Sequence, residues 1–294
     1  MPGVDASDFP KVTPFTKVWH TAPYPFISPT RPELSAAGRN VVVTGGGTGI
    51  GNAIAVAFAQ AGAKSVAIIG RRLDKLKSGA AAISAAVSDD ARTQVLYEQA
   101  DLSSLDDTTK ALQSIASKVG GKIDVLVSNA GGSVDIGLIT TATDEQLLRS
   151  FQDFVLTSFH AVQAFLPLAG PDPILLSTNT VFAHWPPVAN FGLYSISRAT
   201  LLKLNDYIQA ENQHVRVINV QPGWVASEAN GYQKEAPDSA ELPGQFYVWL
   251  ASSEAAFLKG KFVWANWDAQ ELLERAEEIK STRLLSTILS GADD

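Results

Sequence analysis

Residues 41–51 read Val-Val-Val-Thr-Gly-Gly-Gly-Thr-Gly-Ile-Gly, a stretch whose residue types and spacing suit the holding of a phosphate. Three β-branched residues in a row fit a strand buried on both faces. The turn that follows carries Gly45, Gly47, Thr48, Gly49, Ile50 and Gly51. Gly45 permits a tight turn, and residues without Cβ let the backbone approach a pyrophosphate. Ile50, Ile54, Phe58 and Ala61 then recur at helical spacing, and Gly62 closes the run. A helix that starts here aims free N–H groups and a partial positive charge at the anion. A second strand, Ser-Val-Ala-Ile-Ile at 65–69, ends in Gly70-Arg71-Arg72. Dinucleotide sites that prefer NAD place an acid near this strand end for the ribose 2′-hydroxyl, whereas a cation there accepts the 2′-phosphate of NADP. No acid stands here, and Arg71, with Arg72 beside it, offers a planar fork for phosphate. The expected cofactor is NADP(H).

These motifs need a scaffold, and the chain alternates strands with helices. Strands are predicted at 41–44, 65–69, 93–98, 123–127, 174–177, 215–220 and 261–265. Helices are predicted near 50–61, 74–87, 104–118, 144–166, 195–210, 245–257 and 268–280. Such alternation implies crossover connections and an α/β fold, a doubly wound parallel sheet covered on both faces. A single domain is expected over 39–267, with a helical tail over 268–294. Ahead of it, residues 1–38 hold seven of the fifteen prolines. In that extension Phe15, Trp19, Tyr24, Phe26 and Ile27 are expected to dock on the body, while the first dozen residues read as disordered.

Bulk properties remove several function classes. The 294 residues are 46% apolar and 18% charged, an ordinary globular balance with a large core. The net charge of −7 leaves no basic patch for a nucleic acid. The absence of cysteine excludes a disulfide framework, a thiol nucleophile and a Cys-based zinc site. Histidines 20, 160, 184 and 214 show no metal-ligand spacing, so no metal is expected. No apolar run is long enough to span a membrane, and no signal core or lipidation motif is present. A cytoplasmic protein is expected.

Further segments fall in order behind the glycine turn. Asp101-Leu102-Ser103 follows the third strand, and Asn129-Ala130-Gly131-Gly132 follows the fourth. Gln221-Pro222-Gly223-Trp224-Val225-Ala226-Ser227 follows the sixth. With the Gly-x-x-x-Gly-x-Gly spacing after Thr44, this set resembles the short-chain dehydrogenase/reductase family over about residues 39–267. The resemblance implies a Rossmann-type fold and oxidoreductase chemistry. It implies that Asp101 and Leu102 contact adenine and that Asn129, Ala130 and Gly131 stabilise the sheet and line the cofactor. Pro222, Gly223, Val225 and Ser227 would lie beside the nicotinamide, with Ser227 where a Thr is usual. It also implies a homodimer or homotetramer built through the last strand and the long helices.

The same resemblance puts Tyr194 and Arg198 at the family's Tyr-x-x-x-Lys. At i and i+4 the two side chains share a helix face. An unperturbed tyrosine titrates near 10, and a neighbouring cation favours its phenolate. A guanidinium holds ribose hydroxyls and favours phenolate, but it does not readily release a proton. The family's relay asparagine falls on Phe154, whose ring orders no water. Both departures predict an impaired proton relay. For the hydroxyl that polarises the carbonyl, Thr178 is the first choice and Thr180 the second, with Ser177 in the same run. His184, in a lengthened loop, is either a replacement proton donor or a surface histidine. Phe182, Trp185, Phe191, Trp224, Phe246, Tyr247 and Trp249 point to a hydrophobic substrate, a polycyclic one included. The leading reading is an NADP(H)-dependent reductase or dehydrogenase. Behind it stand a repurposed enzyme on the same fold that isomerises, dehydrates or cyclises, and a non-catalytic NADP-binding protein.

Overall fold

Val41, Val42 and Val43 are all buried, yet they serve two different cores. Val41 and Val43 pack with Ile54 and Phe58, whereas Val42 packs with Leu112, Ile115 and Phe165. Successive strand residues point to opposite faces, so a strand that is apolar at every position must be covered on both sides. The computed structural model describes residues 12–87, 93–228, 231 and 236–291. Its strands are β1 Asn40–Thr44, β2 Ser65–Gly70, β3 Gln94–Gln99, β4 Ile123–Ser128, β5 Ala169–Thr178, β6 Arg216–Gln221 and β7 Phe262–Trp264. Between and after them run α1 Gly49–Gln60, α2 Leu73–Ala85, α3 Leu105–Val119, α4 Asp144–Phe151, α5 Thr157–Phe165, α6 Gly192–Glu211, α7 Glu241–Ala251, α8 Ala269–Glu274 and α9 Ala276–Ser281.

Among the described residues the strands form one parallel sheet in the order β3-β2-β1-β4-β5-β6-β7. Helices α1, α2 and α7 cover one face, and α3 and α5 the other. β1 pairs with β2 on one side, Val42 opposite Ala67, and with β4 on the other, Val42 opposite Leu126. The chain therefore winds outward in both directions from β1. In such sheets the ligand crevice opens at the carboxyl ends of the strands, where the order reverses. Here that point lies just beyond Thr44 and Ser128.

Three helices differ from the expectation. The segment 144–166 is not one uniform helix, because a π turn at Gln152–Leu156 separates α4 from α5. A π turn fits an extra residue into the spiral, a device often found at functional sites, and Phe154 within it is buried. α7 starts at Glu241, ahead of the expected 245, because Pro243 sits in the first turn where no N–H is required. The run 256–258 is a separate 3-10 turn, and the tail helix is divided at Arg275. Before β1, Ile27 and Leu34 are fully buried, and Trp19 pairs with Trp267 in an isolated antiparallel bridge. Of the first dozen residues, expected to be disordered, 1–11 lie outside the described residues, and Val12 is half-buried against the core.

Candidate active site

The glycine turn leaves β1 with Gly45 at a φ of +67°, a conformation that costs a side-chain-bearing residue strain. Gly51 is required for a different reason. A Cβ there would stand 2.4 Å from the Gly45 carbonyl oxygen and 2.6 Å from Asn129 Nδ2. The turn and the first turn of α1 are therefore pressed together with no room between them, and the N–H groups that open α1 face the crevice. Asn129 clamps the neighbouring strand end: its backbone N–H donates to Thr44 Oγ1 at 2.9 Å and its Nδ2 to the Thr44 carbonyl at 3.2 Å. The Ala130 N–H joins at the same hydroxyl.

Beyond the turn lies an open cleft of about 1550 Å³. Arg71 and Arg72 reach it from the end of β2. Arg72 pairs with Glu228, whereas no carboxylate among the described residues lies within ion-pair distance of Arg71. Asp101 accepts from both the N–H and the hydroxyl of Ser103, and those bonds, with help from Arg71, hold its carboxyl below the usual range.

At the other end, Tyr194 and Arg198 share one face of α6. The Arg198 guanidinium lies 4.3 Å from the centre of the Phe154 ring and 5.2 Å from that of Tyr194, and Nη1 donates to the Thr178 carbonyl at 3.1 Å. The side chain is buried, Nε has no hydrogen-bond partner, and no carboxylate among the described residues pairs with it. A cation–π contact contributes roughly 0.5–2 kcal/mol, less than the several kcal/mol that desolvating an ion costs. This end of the cleft is thus short of acceptors and fits a polyhydroxylated ligand. With the cradle at Gly51, the donor set fits a dinucleotide.

Hydrogen-bond capacity separates the candidate hydroxyls. Thr178 Oγ1 lies 3.1 Å from Asn129 Oδ1, which can only accept, and 2.7 Å from the Tyr247 phenol. Tyr247 therefore donates to Thr178 and Thr178 to Asn129, and no Thr178 proton is left for a ligand. Thr180 Oγ1 accepts from the Phe182 N–H at 3.5 Å and keeps its own proton.

A model of the family described as short chain dehydrogenase matches residues 39–238. The chain belongs to the short-chain dehydrogenase family. It is 30% identical over 273 residues to a short chain dehydrogenase/reductase of Claviceps purpurea (strain 20.1), covering 90% of each chain. It is 31% identical over 290 residues to the short chain dehydrogenase citE of Monascus ruber, covering 92% of this chain and 95% of that one. Among solved structures, a short chain dehydrogenase of Burkholderia cenocepacia J2315 in complex with NADP shares the fold, with a TM-score of 0.71 and 24% identity over 80% of this chain and 99% of that chain.

In this dehydrogenase the cleft gathers most of the residues singled out from the sequence. Gly45, Gly47, Thr48, Gly49, Ile50, Gly51, Arg71, Arg72, Asp101, Leu102, Asn129, Ala130 and Gly131 all line it. So do Thr178, Thr180, Tyr194, Arg198, Pro222, Gly223, Val225 and Ser227. Ser177 does not: it points to the other face of β5, where its hydroxyl is buried without a partner. His184 also lies outside the lining, edge-on to the Phe262 ring at 4.8 Å. Phe246, Tyr247 and Trp249 are fully buried in the α7 core, not at the cleft mouth. Tyr247 reaches the cleft only through Thr178. Sequence reasoning missed Val12, Trp19 and Asp238 as lining residues. For the first two, the aromatic and apolar content of the extension was the signal, but nothing local said where it docks.

Proposed function

We propose that the protein is an NADP(H)-dependent oxidoreductase that interconverts a carbonyl and a secondary alcohol on a hydrophobic substrate. The observation that carries the reading is Arg71. It stands just past the end of β2 in the cleft, where an NAD-preferring site has an acid, and no carboxylate among the described residues lies within ion-pair distance of it, Asp101 and Asp153 acting on it only from further away. The NADP complex of the Burkholderia cenocepacia dehydrogenase agrees with that choice. Bound nicotinamide supplies or accepts the hydride. Tyr194 exchanges the proton with the substrate oxygen. Thr180, whose proton is free, donates to the same oxygen and stabilises the charge that develops there. Arg198 holds ribose hydroxyls beside the Tyr194 ring, and its permanent charge keeps it out of the proton path. Asn129 and Gly51 fix the cradle. Residues 39–267 form the catalytic domain in this reading.

The test is a titration of the protein with NADPH and with NADH, followed by nicotinamide fluorescence. NADPH is expected to bind at least about tenfold more tightly, and Arg71→Ala is expected to remove that preference by weakening NADPH alone. Equal binding of the two nucleotides would overturn the assignment. Tyr194→Phe is expected to lower ketone reduction by about 10³-fold and to leave NADPH affinity nearly unchanged. The stacking of Arg198 on Phe154, whose ring orders no water, favours one competing reading, a non-redox isomerisation, dehydration or cyclisation at the same site. Product formation that continues without added nucleotide would establish that reading instead.

In this reading the protein acts in the cytoplasm as a homodimer or homotetramer, without a membrane or nucleic-acid partner. Sedimentation of the purified protein tests it. No described helix is long and apolar enough to cross a membrane.

A further inference from the structure

Aromatic rings line one wall of the cleft in an unbroken series, drawn from separate parts of the chain. Tyr194 lies 5.7 Å from Phe182, and Phe182 lies 6.0 Å from Trp185, centre to centre. Trp185 lies 6.0 Å from Trp264, and Trp264 lies 5.7 Å from Trp19. All five line the cleft. The series begins at the phenol assigned to proton transfer and ends on the segment that precedes β1.

The outer end is open but anchored. Trp19 is 37% exposed, so a large apolar ring is left against water at a concave site, the usual mark of a ligand surface. Its backbone is held by the bridge to Trp267 and by the His20 N–H, which donates to the Asn266 carbonyl at 2.8 Å. His20 Nε2 lies 2.8 Å from Asp268 Oδ2, and Trp267 stacks behind Trp264 at 5.8 Å. The ring is therefore presented by a fixed segment.

We propose that the substrate is a flat aromatic ketone or alcohol of more than one ring that lies against this wall, and that Trp19 is a specificity-determining residue. The proposal rests on the oxidoreductase reading above for the reacting group, but the wall itself does not. Any apolar wall attracts an aliphatic chain. Offset-stacked and edge-to-face geometry adds attraction only for a ring, and a rigid planar ligand loses less freedom on binding than a flexible chain.

The experiment compares 2-acetylnaphthalene with 2-dodecanone, two methyl ketones of equal carbon number. Affinity is read by calorimetry on protein saturated with NADP+, where neither ketone can be reduced. NADPH consumption with each ketone is read separately. The aromatic ketone is expected to bind about tenfold more tightly than the aliphatic one. Trp19→Leu is expected to weaken the aromatic ketone by about the same factor and the aliphatic one by less than about twofold, with an unchanged thermal midpoint as the check on folding. Equal affinities, no binding of either ketone, or a preference that survives Trp19→Leu would overturn the proposal. An aromatic preference in binding without NADPH consumption supports the wall and sinks the oxidoreductase reading. Equal consumption of both ketones with equal affinity does the reverse.

Discussion

At the glycine end of the cleft the chain prepares for its ligand with backbone, and at the aromatic end with side chains. The first end works by exclusion. Gly51 has no room for a Cβ against the Gly45 carbonyl oxygen, and Asn129 ties β4 to β1 so that the turn cannot open to make room. The second end works by assembly. Phe154, Tyr194 and Arg198 meet through ring faces, and Trp19, Trp185 and Trp264 extend the wall outward. A backbone cradle has no alternative rotamers, so one added carbon is felt at full strength. A wall of rings loses one member and keeps the rest, so its substitutions are expected to grade specificity.

The sharpest way to break this comparison is Gly51→Ala. The obstructing atom is the Gly45 carbonyl oxygen, which is backbone and cannot swing aside. NADPH affinity is expected to fall by at least about 100-fold, equivalent to about 2.7 kcal/mol, together with a lower thermal midpoint. Trp19→Leu, by contrast, is expected to leave nucleotide binding untouched. Wild-type NADPH affinity in Gly51→Ala would show that the cradle yields, and the contrast between a rigid and a graded end would collapse.

The next effect divides two neighbouring threonines. Thr178 is tied to the cradle through Asn129, whereas Thr180, which also lines the cleft, is the hydroxyl proposed for the reacting end. Thr178→Ala strands the buried Tyr247 phenol and one Asn129 acceptor, and is expected to cost about 1–3 kcal/mol of stability in denaturant unfolding. Thr180→Ala is expected to lower kcat by about 10²-fold with little change in stability. If Thr178→Ala instead loses turnover at full stability, the roles are exchanged. The carbonyl would then be polarised by the hydroxyl that sequence reasoning ranked first.

The same contrast governs what the sequence could disclose. The cradle was legible because its determinants are local: Gly45, Gly49 and Gly51 announce themselves by residue type within one turn. The sheet was legible because Val41–Val43 must be buried on both faces. The pair Tyr194 and Arg198 was visible as i, i+4 spacing, but the burial of Arg198 on Phe154 depends on a π turn that no periodicity signals. The choice between Thr178 and Thr180 turned on Tyr247, a residue 69 positions away whose phenol fixes where the Thr178 proton goes. Trp19 was legible as a residue that docks, while its place in the cleft follows from a bridge to Trp267 that spans almost the whole chain.

The smallest expected effect sits where the two ends join. Asp238 Oδ2 accepts the Trp224 N–H at 2.6 Å, and it lies so close beneath Gly223 that a Cβ there would stand 2.6 Å from it. It thereby shapes the strand-to-helix loop that carries Pro222 and Val225. Burial raises its pKa above the ordinary value of 3.8, against the pull of the Trp224 hydrogen bond. The folded state therefore holds the proton more tightly than the unfolded one. Stability from this group is complete below that ordinary value and declines as pH rises through the raised folded one. Asp238→Asn keeps an acceptor for Trp224 and removes the buried charge. Its thermal midpoint is expected to match wild type near pH 4 and to exceed it at pH 8 by about 2 °C for each kcal/mol recovered. If wild type is the more stable at pH 8, the carboxylate is held as an anion by a stronger partner than the Trp224 N–H. The loop would then be locked by charge, and the join between the two ends would be as rigid as the glycine cradle.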